Sequence, residues 1–283
     1  MNRRRFITST AAALTGAAIL PQVLSSTLSS IGTSQTALPY AFDALEPFFN
    51  ARLLQEHFTL HHQPHVAALA SPLTPKQGIV ESIATHLNWM HRRLQNLRTA
   101  TQHSGGARAL AIRLCNIGKL VREHGGGHVN HSLFWRWMAP PNSAPRSPFG
   151  VLASSIDSTF GSFFEFKANF TRTALSILSE GWVWLVVRPD QSLLITVTCK
   201  EDNPLMRGIV PDEQLGLPIL GIDMAAHAYA LQYQDNPQGY INAWWQLVNW
   251  NQVAADYDHF ADHAFLLAPP VHDELWGGNR HPN

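Results

Sequence analysis

Gly221-Ile222-Asp223-Met224-Ala225-Ala226-His227-Ala228-Tyr229 constrains this chain more than any other stretch. It follows an apolar run, Leu217-Pro218-Ile219-Leu220. A strand ending near Ile222 and a helix starting near Met224 would turn Asp223 and His227 to one side. A hard oxygen and a borderline nitrogen on a rigid strand-to-helix corner form half of a metal site.

Three upstream tracts offer the other half. They are Leu38-Pro39-Tyr40-Ala41-Phe42-Asp43-Ala44-Leu45-Glu46-Pro47, then His57-Phe58-Thr59-Leu60-His61-His62-Gln63, then Gly125-Gly126-Gly127-His128-Val129-Asn130-His131-Ser132-Leu133-Phe134-Trp135. With Asp223 and His227 they resemble, in order, the four signature regions of the iron/manganese superoxide dismutase family. Further matching tracts are Phe160 to Phe163, Gly181 to Val186, Asp202 to Leu205 and Tyr240 to Trp250, so the resemblance runs from about Leu38 to about Tyr257. It implies an α+β fold: an N-terminal helical hairpin domain and a C-terminal α/β domain with a three-stranded antiparallel sheet. It also implies dismutation of superoxide to dioxygen and hydrogen peroxide at a mononuclear iron or manganese centre between the domains. By the motif, His57, His131, Asp223 and His227 match the metal ligands, and a solvent molecule would take the fifth position. Trp135 and Trp182 match the aromatic wall around the metal, and His61 matches a residue of the substrate gateway.

The chain departs from the family at three places. His65 stands where the family has a gateway Tyr, and an imidazole titrates nearer neutrality than a phenol. Glu201 stands where manganese-type members carry a Gln near the metal, and an ionised Glu201 would favour the +3 state. Gly127 resembles the manganese type, so manganese is slightly favoured over iron, with one ion per chain. Ala225 and Ala226 replace a Trp and a Glu; the Glu normally crosses the dimer interface to the partner's ligand His. The usual homodimer is therefore in doubt, and a catalytically weak metal-binding or structural relative stands as the alternative to a full enzyme.

Composition sets outer limits. The 283 residues carry 20 basic and 20 acidic side chains, with no basic excess to suit a nucleic-acid partner. Two cysteines, Cys115 and Cys199, are too few for a disulfide framework and read as buried thiols. The start, Met1-Asn2-Arg3-Arg4-Arg5-Phe6-Ile7, precedes an apolar stretch from Ala11 to Leu24. It resembles a twin-arginine export signal, cut between Leu24 and Thr36, and implies a bacterial periplasmic protein with no membrane span in its mature part.

The expected organisation is a leader over 1–36, the hairpin domain over 37–139, a Pro-rich linker over 140–149, the α/β domain over 150–265 and a disordered tail over 266–283. Helical periodicity covers Phe48 to Leu69, with Pro64 expected to kink or end the first segment near Gln63. Helices are also expected over Ile79 to Thr99 and Ala107 to Glu123, the second stopped by the glycine triplet at 125–127. The segment around 71–106 reads as an insertion. Strands are expected over Trp182 to Arg188, Ser192 to Cys199 and Leu217 to Ile222, the first two joined at Pro189-Asp190.

Overall fold

A computed structural model describes residues 37–70, 118–207 and 209–261, together with 112, 115 and 116. The leader, the whole 71–106 segment with the helix expected over Ile79 to Thr99, and the tail lie outside the described residues.

The first long helical stretch begins where Asn50 accepts a hydrogen bond from the Leu53 amide, capping α1 (Ala51–Glu56). It then widens into a π-helical turn, His57–His62, before resuming as α2 (Gln63–Leu69). Pro64 therefore does not end the helical run, although the change from π to α turn falls at Gln63, just ahead of it. It sits in the first turn of α2, where the missing N–H costs little, and the π turn just ahead of it absorbs the mismatch.

A second π-helical turn, Leu120–Gly125, leads into α3 (Gly126–Arg136). Here the expectation of a break at the glycine triplet fails: the helix runs straight through it. The glycines serve close approach. A Cβ on Gly126 would run into the backbone carbonyl of Glu201, and one on Gly127 would lie 2.6 Å from the His65 ring.

Past the Pro-rich connection come α4 (Gly150–Phe160) and α5 (Phe163–Leu175). Ser162 caps α5 through the Glu165 amide. Three antiparallel strands follow in the order β2-β1-β3: β1 (Gly181–Val187), β2 (Leu193–Cys199) and β3 (Leu217–Asp223). β1 and β3 are buried at every residue, as their unbroken apolar runs require, whereas the edge strand β2 is only partly covered. At the β1–β2 turn, Gln191 takes a positive φ and Asp190 accepts from Ser192 N–H.

The β1–β3 register places Trp182 beside Asp223. No helix starts at Met224. Instead a single 3₁₀ turn, Ala226–Ala228, precedes the short α6 (Ala230–Tyr233), then α7 (Pro237–Trp245) and α8 (Trp250–Ala261). The cause is local: the Asp223 carboxylate accepts from the Ala225 amide at 2.9 Å, and this side-chain turn keeps Ala225 extended.

α8 clamps the helical half to the sheet half. Buried Asp256 accepts from Trp137 Nε1 at 2.8 Å, from Arg136 Nη2 at 3.1 Å and from Gln252 Nε2 at 2.9 Å. A continuous core of aromatic and aliphatic side chains joins Leu53, Phe134 and Trp135 to Trp184, Tyr240 and Trp250. Both cysteines are free and exposed, which corrects the buried reading: Cys115 faces outward from its helix and Cys199 ends the edge strand.

Candidate metal centre

Four elements converge on one point. His57 comes from the first π turn, His131 from α3, Asp223 from the end of β3 and His227 from the 3₁₀ turn. One nitrogen or oxygen from each lies within 4.8 Å of all the others, so together they could hold a metal ion. Asp223 Oδ2 is the hub, at 3.2 Å from His57 Nε2, 3.8 Å from His131 Nε2 and 3.1 Å from His227 Nε2.

Neighbours set each side chain. His131 Nδ1 donates to the Gly127 carbonyl at 2.7 Å, which leaves Nε2 as the bare lone pair facing Asp223. Asp223 is held at Oδ1 by the Ala225 amide and at its carbonyl oxygen by Tyr240 OH, 2.9 Å away. His57 is boxed in by Phe134 and Trp135. His57 Nε2 and His131 Nε2 are both buried with no hydrogen-bond partner. Such nitrogens are costly to leave bare, and a cation between them removes the cost. The donor set, three imidazoles and one carboxylate, suits a divalent or trivalent first-row ion.

The electrostatics of His57, His131 and Asp223 agree with that use, and His227 would give up its proton to ligate. Burial holds His57 and His131 below the ordinary imidazole range, hence neutral and able to ligate. Burial alone would raise Asp223, yet the adjacent His227 charge, the hydrogen bond with His227 and the nearness of His57 pull it well below the carboxylate range. His227 moves the other way. Burial opposes its protonation, but the Asp223 charge outweighs this and raises it.

A pocket of about 240 Å³ opens onto the cluster, lined among others by His61, His65, Trp182, Glu201 and Ala225. His61 lies on its wall with its ring stacked on His227, 3.9 Å between centroids. Burial and repulsion from His227 push His61 down to about 4. His65 occupies the space above Gly127, with Nδ1 3.2 Å from His124 Nδ1 and Nε2 3.6 Å from Glu201 Oε1. The other Glu201 oxygen is buried without a partner. The backbone beneath Glu201 is fixed to α3. Asn130 donates to its carbonyl, Asn203 donates to Asn130, and Arg122 grips Asp202 in two bonds of 2.6 Å. Trp182 packs edge-on against His131, 5.3 Å between centroids.

The structure thus brings all nine sequence-selected residues to one place. Sequence reasoning missed a buried chain behind them. Trp135 Nε1 donates to His62 Nδ1 at 3.1 Å, so His62 Nε2 carries the proton and donates to His128 Nδ1 at 2.8 Å. The His62 ring stacks under His131 at 5.4 Å. The signal was available in the His61-His62 doublet and in His128, three residues before His131 on the same helix.

Comparison with known proteins agrees with the geometry. Residues 34–139 match the family model for the alpha-hairpin domain of iron/manganese superoxide dismutases, and residues 148–256 match that for the C-terminal domain. A manganese superoxide dismutase from Pseudomonas putida is 35% identical over 221 residues, 78% of this chain and 95% of the relative. One from Bordetella pertussis is 37% identical over 222 residues, 78% of this chain and 92% of the relative. One from Listeria monocytogenes is 34% identical over 221 residues, with 78% and 95% covered. With both halves of the fold matched and its similarity to whole enzymes so extensive, this chain belongs to the iron/manganese superoxide dismutase family and is an oxidoreductase acting on superoxide.

Proposed function

We propose that this superoxide dismutase works with manganese held by His57, His131, Asp223 and His227. The observation that carries the ligand set is the pair of orphaned, buried Nε2 atoms of His57 and His131 turned toward Asp223. A manganese ion bound there supplies a one-electron couple between +2 and +3, with which two superoxide anions and two protons become dioxygen and hydrogen peroxide. Asp223 contributes the single anionic donor that balances charge, and the three neutral imidazoles keep the lower oxidation state accessible. Trp135 and Trp182 exclude water and brace the ligands, Trp135 through His62 and Trp182 against the His131 ring. His61, His65 and Glu201 line the pocket that opens onto the ligands, so a small anion meets the His65 imidazole there, beside the Glu201 side chain.

Manganese is favoured over iron on two grounds. The relatives named above are manganese enzymes, and the His65 ring leaves no room for a side chain on Gly127 to reach the site. The test is to strip the purified protein and reload it separately with manganese and with iron. Dismutation should return with manganese, and higher activity with iron refutes the choice. We also propose export to a bacterial periplasm, on the basic and apolar start at Arg3 to Leu24. Cell fractionation that finds the protein only in the cytoplasm refutes this.

A further inference from the structure

We propose that His61 is a positioning residue for His227, its flat ring fixing the plane in which His227 offers Nε2. This rests on the ligand reading above. The other three members of the cluster are fixed by groups of their own: His131 by the Gly127 carbonyl, Asp223 by the Ala225 amide and Tyr240, His57 by the walls of its buried slot. His227 has no such anchor. It stands on a one-turn 3₁₀ segment without a side-chain cap, and its side chain is 20% exposed against 0–3% for the other three. Its one hydrogen bond among the described residues is at Nε2, the nitrogen that faces the cluster. Ala225 and Ala226, the residues just before it, carry no polar side-chain atom to reach Nδ1.

What holds the ring is His61. The two imidazoles are nearly parallel, 6° apart, with centroids 3.9 Å apart, which is full face contact. The π turn makes the contact. Within it His57 and His61 lie four residues apart with rings nearly perpendicular, at 77°, so one enters the cluster while the other covers His227. His57 meets His227 in a T-shaped contact at 5.0 Å, away from the face that His61 covers. The ring therefore touches two residues of the same π turn, stacked on His61 and T-shaped to His57, and the orientation of this ligand is set within a single chain.

A stack needs a flat ring and no particular nitrogen, and this separates the proposal from a hydrogen-bonding role for His61. Manganese(II)-loaded protein is mixed with excess chelator and metal release is timed. His61→Ala should release metal about 10-fold faster, in the range that orienting contacts around ligands supply. His61→Phe should stay within about 2-fold of the parent, since it keeps the face contact. Unchanged release from His61→Ala overturns the proposal, and so does release from His61→Phe as fast as from His61→Ala. If His61→Ala fails to fold, His61→Ser takes its place, with the same faster release expected and unchanged release overturning the proposal. Asp223→Ala runs in parallel. Retention of one equivalent there refutes the ligand reading itself, whereas its loss beside an unaffected His61→Ala refutes only the stack.

Discussion

Metal-free protein should lose stability steeply below pH 6.5, and His62 is the group whose share can be isolated. Its side chain is 1% exposed, and burial with repulsion from His128 pushes its pKa down to about 2. In the unfolded chain it returns to about 6.5. A histidine with a depressed folded pKa binds fewer protons folded than unfolded. Its stabilising share is therefore complete above pH 6.5 and drains away as the pH falls toward 2. The slope approaches about 1.4 kcal/mol per pH unit for one group once the pH is well below 6.5, so from pH 6.5 to 4.5 His62 alone removes about 2.3 kcal/mol, a large part of a domain's total. Urea unfolding of the metal-free protein at several pH values measures the slope. Histidine 62 changed to Gln (His62→Gln) removes the titrating group. The variant should start less stable, because the bonds to Trp135 and His128 are disturbed, yet its curve should be flatter by about 1.4 kcal/mol per pH unit. Parallel curves for the two proteins would refute the reasoning, since His62 would then not be held neutral by the fold.

Three further outcomes are expected. Glu201→Gln should raise the midpoint potential of the bound metal, measured by mediated titration, because it removes a carboxylate facing the site; an unchanged potential would place Glu201 outside the metal's influence. Gly126→Ala should cost at least about 1–3 kcal/mol in urea unfolding, because its Cβ would press on the Glu201 carbonyl, which is backbone and cannot swing aside. Asp256→Ala should cost about 1–3 kcal/mol in thermal or urea unfolding, since it leaves buried Trp137 Nε1 without its acceptor and removes the Arg136 contact to α8; a loss under about 1 kcal/mol would show that α8 is held by apolar packing alone.

The strands were legible because a buried strand needs an unbroken apolar run, and Gly181–Val187 and the stretch from Leu217 to Ile222 are such runs. Helix ends were less legible. A glycine triplet has poor helix propensity, and from sequence it reads as a stop. It is helical here because the Glu201 loop and the His65 ring press too closely on α3 for any side chain, and packing overrides the local preference. The π turns carry no periodicity that differs from an ordinary helix over six residues, so neither was visible, although one of them aims His57 and His61. The exposure of Cys115 and Cys199 depended on which face of each element met a neighbour, which residue type alone does not say.

The sequence by itself determined the fold class and the chemistry available: three imidazoles and a carboxylate within ordered motifs, and apolar strands able to carry one of them. Those are properties of residue type and spacing. Tertiary structure alone decided the protonation pattern and the orientation. His62 is neutral because it is buried against His128, His131 offers Nε2 because Gly127 takes Nδ1, and His227 is gripped by His61, a residue 166 positions earlier in the chain. Dehydration and fixed hydrogen-bond partners arise only when distant segments pack together, so the order of residues along the chain cannot state them in advance.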